Sequence, residues 1–362
     1  MPQSKTDNSE IYGHGRQDLS TDYDDFPFVS VIMPVRNEAD FIERSLGAVM
    51  EQDYPHARME IIVADGNSAD GTRALIEEMS KRSEIAVRIV DNPELTAPFA
   101  LNRAIADTRG EIIVRVDGHC EIEKDYVSNC VRHLRCGKAE AVGGPIETIG
   151  RSAKARAISV AMSSSFGVGG SAFRCVKDRE MYVDTVAFPA YGREILRKAG
   201  PFREELVRNQ DDEFNYRIRK MGGRILLAPD IRSKYYSRST FRSLWRQYFQ
   251  YGYWKVRVFQ LHPKQMSYRQ FVPAVFVAAL IGTLVLDFFA GSAWPTAAVV
   301  LLYSLAAIAA AVRLGSRLSW SEFPLLLASF PILHLSYGLG FLAALYSLRD
   351  GWRRPRTKTA EI

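Results

Sequence analysis

Hydrophobic and polar positions alternate in blocks along the first two-thirds of the chain and merge into almost continuous apolar sequence between residues 272 and 347. From Phe28 the blocks read strand, helix, strand, helix. FVSVIMPV (28–35) is a short β-rich run, ADFIERSLGAVMEQ (39–52) repeats with a helical period, MEIIVADG (59–66) is a second apolar run and GTRALIEEMSKR (71–82) a second helix. AVRIVDN (86–92) and EIIVRVDG (111–118) predict two more strands, with helical spacing over 99–108 between them. This alternation predicts an α/β domain with a mainly parallel sheet, whose ligands gather at the carboxyl ends of its strands.

The pattern changes after residue 240. FRSLWRQYFQYGYWKVRVFQL (241–261) predicts one helix with two faces. Phe241, Leu244, Trp245, Tyr248, Phe249, Val256 and Phe259 gather on one, and Arg242, Arg246, Gln250, Tyr253 and Arg257 on the other. An amphipathic helix at the lipid headgroup level has this pattern, and so does a helix packed under the sheet of a soluble domain. Three apolar segments follow, 272–290, 294–312 and 323–347. The first two have the length of a membrane span and are joined by a short uncharged turn with Gly291 and Pro295, which predicts a transmembrane hairpin. Arg313 and Arg317 then mark a cytoplasmic loop, in keeping with a cytoplasmic domain before the hairpin. A third crossing would place Arg349, Arg353, Arg354, Arg356 and Lys358 outside, against the positive-inside tendency. Pro331, His334, Ser336, Gly338 and Gly340 interrupt this segment, so a re-entrant or interfacial return is the alternative.

The expected organisation is a flexible polar tail (1–26) without the apolar stretch of a signal peptide, a catalytic α/β domain (27–239), an interface-helix region (240–268), a membrane region of two or three spans (269–347) and a basic tail (348–362). Lys and Arg number 47 against 41 acids in 362 residues, too small a surplus to suggest a nucleic-acid binder. The four cysteines form no CxxC pair and no Cys/His cluster, which argues against a zinc module or a disulfide scaffold and fits a reducing compartment.

Three acidic clusters carry the candidate chemistry. Asp65-Gly66-Asn67-Ser68-Ala69-Asp70-Gly71-Thr72 closes the second strand. Its carboxylate suits a nucleobase or ribose donor, while Asp-Gly and Ser-x-x-Gly are also ordinary turn and cap chemistry. Asp117-Gly118-His119 follows IIVRV, and a carboxylate and an imidazole two residues apart at a strand end can reach one divalent cation. A plain Asp-Gly turn with a solvated histidine has the same sequence. Gln210-Asp211-Asp212-Glu213 opens the helix DDEFNYRIRKMGG. The helix dipole explains acids there in part, and a general base for a sugar hydroxyl belongs at such a position.

Together VSVIMPVRNE, DGNSADGT, VDGH and QDDEFNYRIRKMGG, in this order, resemble the inverting family 2 glycosyltransferases of GT-A fold over about residues 28–260. VRVDGHC, SSSFGVGGSAFR, YVDTVAF and RNQDDEFNYR are similar to bacterial succinoglycan-type exopolysaccharide β-1,3-glucosyltransferases. The resemblance implies a nucleotide-diphospho-sugar transferase with a Rossmann-like, mostly parallel sheet, followed by the interface helix and C-terminal transmembrane helices. It implies Asp211 as the base with Asp212 the second candidate. It implies a nucleotide-sugar site from Pro34, Arg36, Asn37, Glu38, Asp65, Asn67, Asn102 and Asp117, and Mn²⁺ or Mg²⁺ on Asp117 and His119, where His119 replaces the family's second Asp. Gln210 stands where the family often has Glu, and Gln250-Tyr251-Gly252-Tyr253-Trp254 matches the QxxRW motif with Tyr253 for Arg. Gln210, Asp184, Arg208, Arg246, Gln250, Tyr253 and Trp254 are the implied acceptor or diphosphate contacts. The 163–174 stretch SSSFGVGGSAFR is expected to be a loop that orders over substrate, or plain linker.

The implied activity is transfer of glucose from a UDP-sugar to a polyprenyl-diphosphate-linked oligosaccharide in exopolysaccharide biosynthesis. The expected place is the bacterial inner membrane, in contact with its lipids and with the catalytic domain cytoplasmic. No nucleic-acid partner is expected, and a homo-oligomer is compatible. Transfer to a simple lipid or polyprenyl phosphate, or a non-catalytic nucleotide-sugar-binding membrane subunit, are the alternatives.

Overall fold

The computed structural model describes residues 25–237 and 239–349. The expected tails 1–26 and 348–362 therefore lie, but for residues 25, 26, 348 and 349, outside the described residues. Strands β1 (Val29–Val35), β2 (Met59–Asp65), β3 (Ala86–Asp91) and β4 (Ile112–Arg115) alternate with helices α1 (Ile42–Met50), α2 (Thr72–Ser80) and α3 (Ala97–Ala106). There follow β5 (Cys120–Ile122), α4 (Tyr126–Arg135), β6 (Ala141–Gly144), β7 (Ile146–Ile149), α5 (Ala153–Met162), α6 (Ser165–Val168), α7 (Ala172–Cys175), β8 (Met181–Tyr182), β9 (Ala187–Gly192) and α8 (Arg193–Ala199). The domain closes with α9 (Gln210–Lys220), β10 (Ile225–Leu227) and β11 (Ser233–Tyr236).

The main sheet has the order β3-β2-β1-β4-β9-β6-β10-β8, and β5-β11-β7 form a small second sheet. β9 runs antiparallel between β4 and β6, and β8 antiparallel at the edge, so the sheet is mixed but mainly parallel. Along β1 and β2 alternate residues serve two cores: Val31, Met33, Ile61 and Val63 face one, Ile32, Ile62 and Ala64 the other. All seven residues of β2 are buried, as helices on both faces require, whereas the edge strand β3 has no buried residue. Chain order reverses at β1, whose neighbours are β2 and β4, and this opens a crevice at their carboxyl ends.

Four long helices complete the chain: α10 (Phe241–Leu261), α11 (Val272–Ala290), α12 (Trp294–Leu314) and α13 (Phe323–Ser347). The last three are long and apolar enough to cross a membrane. α13 is one helix through Pro331, without the chain reversal that a re-entrant hairpin within 323–347 requires. The apolar face of α10 expected at the headgroup level is divided: Trp245 is exposed and Phe241, Phe249 and Phe259 are half-buried. Leu244, Tyr248 and Val256 are buried, because α13 and the catalytic domain pack on that side.

Two glycines set how closely α10 and α13 approach. A Cβ on Gly252 would stand 2.0 Å from the carbonyl oxygen of Tyr337, and one on Gly340 would stand 2.1 Å from that of Phe249. Gly252→Ala is therefore expected to force the helices apart at a cost of about 1–3 kcal/mol. It should lower the thermal unfolding temperature of the detergent-solubilised protein, and an unchanged temperature would contradict backbone contact at this crossing.

Candidate active site

The loop after β1 and the loop after β2 are stitched into one wall of the crevice. Asn37, at φ 53°, donates its N–H to Ser68 Oγ at 2.9 Å and accepts from Ala69 N–H through Oδ1 at 3.0 Å. Glu38 N–H donates to Thr72 Oγ1 at 2.8 Å and Ala39 N–H to Asp70 Oδ2 at 3.0 Å. Asp65 ends β2 almost fully buried, accepting from Ser68 Oγ at 2.6 Å, with Arg73 at 3.6 Å from its other oxygen. Gly66 lies under the Arg36 side chain, and Asn67 takes the left-handed conformation beside it. Pro34, Arg36, Asn37, Glu38, Asp65 and Asn67 are thus gathered at one end of the sheet. Asn102 is not among them. From α3 its amide donates to Phe202 O at 2.9 Å and to Glu204 Oε1 at 3.0 Å, and its Oδ1 accepts from Phe202 N–H at 2.8 Å, so its bonding fastens α3 to the 202–204 loop.

The floor of the crevice is built by β4 and the N-terminus of α9. Arg115, only 6% exposed, holds Asp117 with two hydrogen bonds, Nε to Oδ1 at 2.8 Å and Nη2 to Oδ2 at 3.1 Å, and its Nη1 pairs with Asp211. One guanidinium therefore joins the strand-end carboxylate to the helix-start carboxylate. Arg115 is a site residue that periodicity did not reveal, because an arginine closing the apolar run IIVR reads as a solvated strand end. Gly118 is required by closeness: a Cβ there would lie 2.9 Å from Glu38 Cγ. His119 Nδ1 bonds Glu38 Oε1 at 2.8 Å and its ring meets Tyr235 edge-on at 5.2 Å. Burial disfavours the charged imidazole, but the Glu38 hydrogen bond and charge outweigh it and push the His119 pKa up to about 9.

The three acids of α9 have three different surroundings. Asp211 keeps 37% of its side chain exposed to the crevice. Its pKa is raised above the ordinary carboxylate value by desolvation, against the lowering effect of Arg115 and with the charges of Asp117 and Asp212 adding to the rise. Asp212 pairs with Lys255 of α10. Glu213 is fully buried, bonded by Arg203 Nε at 3.1 Å, Arg217 Nε at 3.0 Å and His262 Nε2 at 2.9 Å. Its pKa is lowered, since these donors overcome its desolvation. Gln210 is buried at the start of the same helix. The preceding Asn209, left-handed at φ 62°, donates through Nδ2 to Tyr251 O at 3.0 Å, and Arg208 Nε donates to Gln250 Oε1 at 3.2 Å. α10 is in this way tied to the crevice.

From Gln250 an open groove of about 590 Å³ follows the exposed face of α10, lined by Arg242, Trp245, Arg246, Phe249, Gln250, Tyr253 and Trp254. Four of the expected acceptor residues meet there. Asp184 stands elsewhere, paired with Arg219 at 3.1 Å. The 163–174 stretch forms the short helices α6 and α7 and is fastened by Arg269 Nη1 to Gly169 O at 3.0 Å and by His334 Nε2 to Phe166 O at 2.9 Å. Among the described residues no group of three acidic, histidine or cysteine side chains could by itself enclose a metal ion.

The model of the "Glycosyl transferase family 2" family matches residues 30–200. The succinoglycan biosynthesis protein ExoA of Rhizobium meliloti is 28% identical over 327 residues, which cover 88% of this chain and 95% of that protein. A dolichyl N-acetyl-α-D-glucosaminyl phosphate 3-β-D-2,3-diacetamido-2,3-dideoxy-β-D-glucuronosyltransferase of Methanococcus voltae is 30% identical over 232 residues, 62% of this chain and 72% of that one. Among solved structures, the mannosyltransferase PcManGT of Pyrobaculum calidifontis, in complex with GDP-Man and Mn²⁺, superposes with a TM-score of 0.57 at 19% identity, covering 89% of this chain and 88% of that one.

Proposed function

The chain belongs to glycosyltransferase family 2, and from that premise we propose that it is an inverting, membrane-bound enzyme that moves a sugar from a UDP-sugar to a polyprenyl-diphosphate-linked oligosaccharide. The observation that carries the reading is the meeting of Asp65, Asp117, His119 and Asp211 at one crevice, with the arginine- and tryptophan-lined groove leading away from it. In this reading the loops after β1 and β2 border the uridine, with Asp65 as an acceptor for its donors. The proposed sugar is glucose, in line with the similarity to the succinoglycan protein, and the proposed place is the bacterial inner membrane with the crevice on the cytoplasmic side.

Asp211 takes the proton of an acceptor hydroxyl, whose oxygen bonds to the anomeric carbon from the face opposite the nucleotide. The carbon–oxygen bond to UDP breaks with its electron pair leaving on the diphosphate, and a single displacement inverts the centre. The raised pKa of Asp211 suits a general base better than an ordinary carboxylate would.

Asp117 and His119 are the residues that would hold Mn²⁺ or Mg²⁺. Two protein ligands with diphosphate oxygens and water fit the usual binding of a catalytic cation better than an all-protein cage does. When bound, the cation offsets negative charge on the departing diphosphate. His119 would ligate as the neutral ring through the nitrogen that Glu38 does not hold, so a cation would compete with the proton there while Nδ1–H stays on Glu38. The Mn²⁺ and GDP-Man of the mannosyltransferase support this assignment, as the lipid-linked acceptor in the name of the Methanococcus relative supports the acceptor class.

The test is UDP release by the purified protein over a panel of UDP-sugars, with polyprenyl-diphosphate oligosaccharides and Mn²⁺ or Mg²⁺. Acceptor-dependent release supports the reading, and a donor that binds yet is consumed with no acceptor overturns it in favour of a binding subunit. Arg242 and Arg246 have no ion-pair partner among the described residues and suit a lipid diphosphate. Arg246→Ala is expected to raise KM for the lipid-linked acceptor about 10-fold or more, the value of one charge-assisted hydrogen bond. KM for the donor should stay the same, and steady-state kinetics with each substrate varied separates the two.

A further inference from the structure

α13 is nearly as apolar as its two neighbours, but nine of its 25 residues are buried in protein against two of 19 in α11 and two of 21 in α12. Both of its ends are held on the catalytic side. At its start Glu322, 3% exposed, accepts from Arg156 Nε of α5 at 2.6 Å. In its middle His334 bonds Phe166 O, and Gly340 lies against the backbone of Phe249. At its end Leu348 O accepts from Gln260 Nε2 at 2.7 Å, and Ser347 Oγ donates to Tyr253 OH at 3.0 Å. From Gly252 beside Tyr337 to Gln260 beside Leu348 the two helices advance together.

α10 cannot lie in hydrocarbon. It carries Arg242, Arg246, Lys255 and Arg257, and it is bonded to the crevice through Gln250, Tyr251 and Lys255. A helix of 25 residues is about 37 Å long, more than the ~30 Å of a bilayer core. If α13 crossed, its far end would be carried away from the catalytic domain and from α10, yet that end is bonded to α10.

We infer that α13 does not cross the membrane: it lies along the catalytic face of the bilayer between α10 and the lipid, and among the described helices α11 and α12 alone cross. This rests on the reading above that the protein is membrane-bound. The hairpin is buried only near its roots, at Ala274, Val277, Ala307 and Ala311, and exposes Leu284, Leu286, Phe288, Phe289, Leu301 and Leu302. Its arms are about 28 Å and 31 Å long, one hydrocarbon thickness. Trp294 at its tip, 81% exposed, and Trp320 beyond its root, 93% exposed, stand where the two interfacial belts of aromatic residues belong. The chain then leaves α13 on the side of the catalytic domain, so the basic residues from Arg349 onward satisfy the positive-inside tendency, and the groove of α10 opens at headgroup level, where a lipid carries its diphosphate.

The test uses the full chain with Cys136→Ser and Cys175→Ser, carrying one added cysteine at Ala293→Cys, Ser316→Cys or Tyr346→Cys, and a membrane-impermeant maleimide on sealed vesicles of both orientations. Ser316→Cys and Tyr346→Cys should react from the same side and Ala293→Cys from the other. Reaction of Tyr346→Cys from the side of Ala293→Cys overturns the inference, as does reaction of all three from one side. A second measurement places alkaline phosphatase or a cytoplasm-only fluorescent protein after Ile362: fluorescence without phosphatase activity is expected, and the converse overturns the inference. Sugar transfer by the same vesicles is assayed separately, so a wrong topology in an active enzyme is distinguished from failure of the glycosyltransferase reading.

Discussion

Asp211→Asn is expected to reduce the turnover of sugar transfer by about 10²–10⁴-fold, the contribution of a positioned general base. The substitution keeps the shape of the side chain and leaves Arg115 with both of its bonds to Asp117, so the crevice should keep its form and its affinity for the donor. Turnover against acceptor, measured beside calorimetric binding of the UDP-sugar, checks both parts. Equal loss of donor binding would assign Asp211 to the nucleotide-sugar site instead. In the wild type the rate should fall on acidification as Asp211 becomes protonated, and this limb should be displaced upward from that of an ordinary aspartate because desolvation raises its folded pKa. Asp212→Asn gives the contrast. Its carboxylate is already paired with Lys255, so the change should loosen the attachment of α10 to α9 and cost less in turnover.

The same three acids show how far a single sequence carries the argument. The alternation of apolar runs located β1 to β4 and α1 to α3 to within a few residues, because each buries a face with its own period. α11 and α12 were equally plain from length and apolarity, whereas the interrupted sequence 323–347 leaves a re-entrant return open until α13 is seen to run unbroken through Pro331. In Gln210-Asp211-Asp212-Glu213 the sequence placed a helix start and a candidate base, but successive residues of a helix point about 100° apart. Their partners come from β4, from α10 and from the 203, 217 and 262 positions, which no local pattern connects. For the same reason no local pattern marks Arg115, and the amide of Asn102, implied at the nucleotide by resemblance, is spent on Phe202 and Glu204. Between residues 120 and 208 the strands have only two to six residues and β9 inserts antiparallel between β4 and β6, so a period of two has little to act on.

Glu213→Gln is expected to destabilise the protein by about 3–5 kcal/mol, the cost of removing the carboxylate from its largely buried ion pair with Arg217. The carboxylate is the common acceptor for Arg203, Arg217 and His262, and it joins the loop before α9, α9 itself and the segment after α10. A glutamine has one acceptor oxygen where the carboxylate has two, and it carries no charge. The sign of the pH dependence follows from the lowered folded pKa of Glu213. Its stabilisation is fully present above the unfolded carboxylate value of about 4.3 and is lost as pH falls through the lower folded value. Thermal unfolding in detergent should therefore show a constant gap between wild type and Glu213→Gln from neutral pH down to about pH 5, narrowing only in stronger acid. A gap that closed above the unfolded value, or none at neutral pH, would mean that the cluster contributes no charge-dependent stability. Because α10 is attached through His262 as well as Lys255, loss of this cluster should also weaken acceptor use before donor binding, since the loops after β1 and β2 are held by bonds to each other, to Leu95 and to His119.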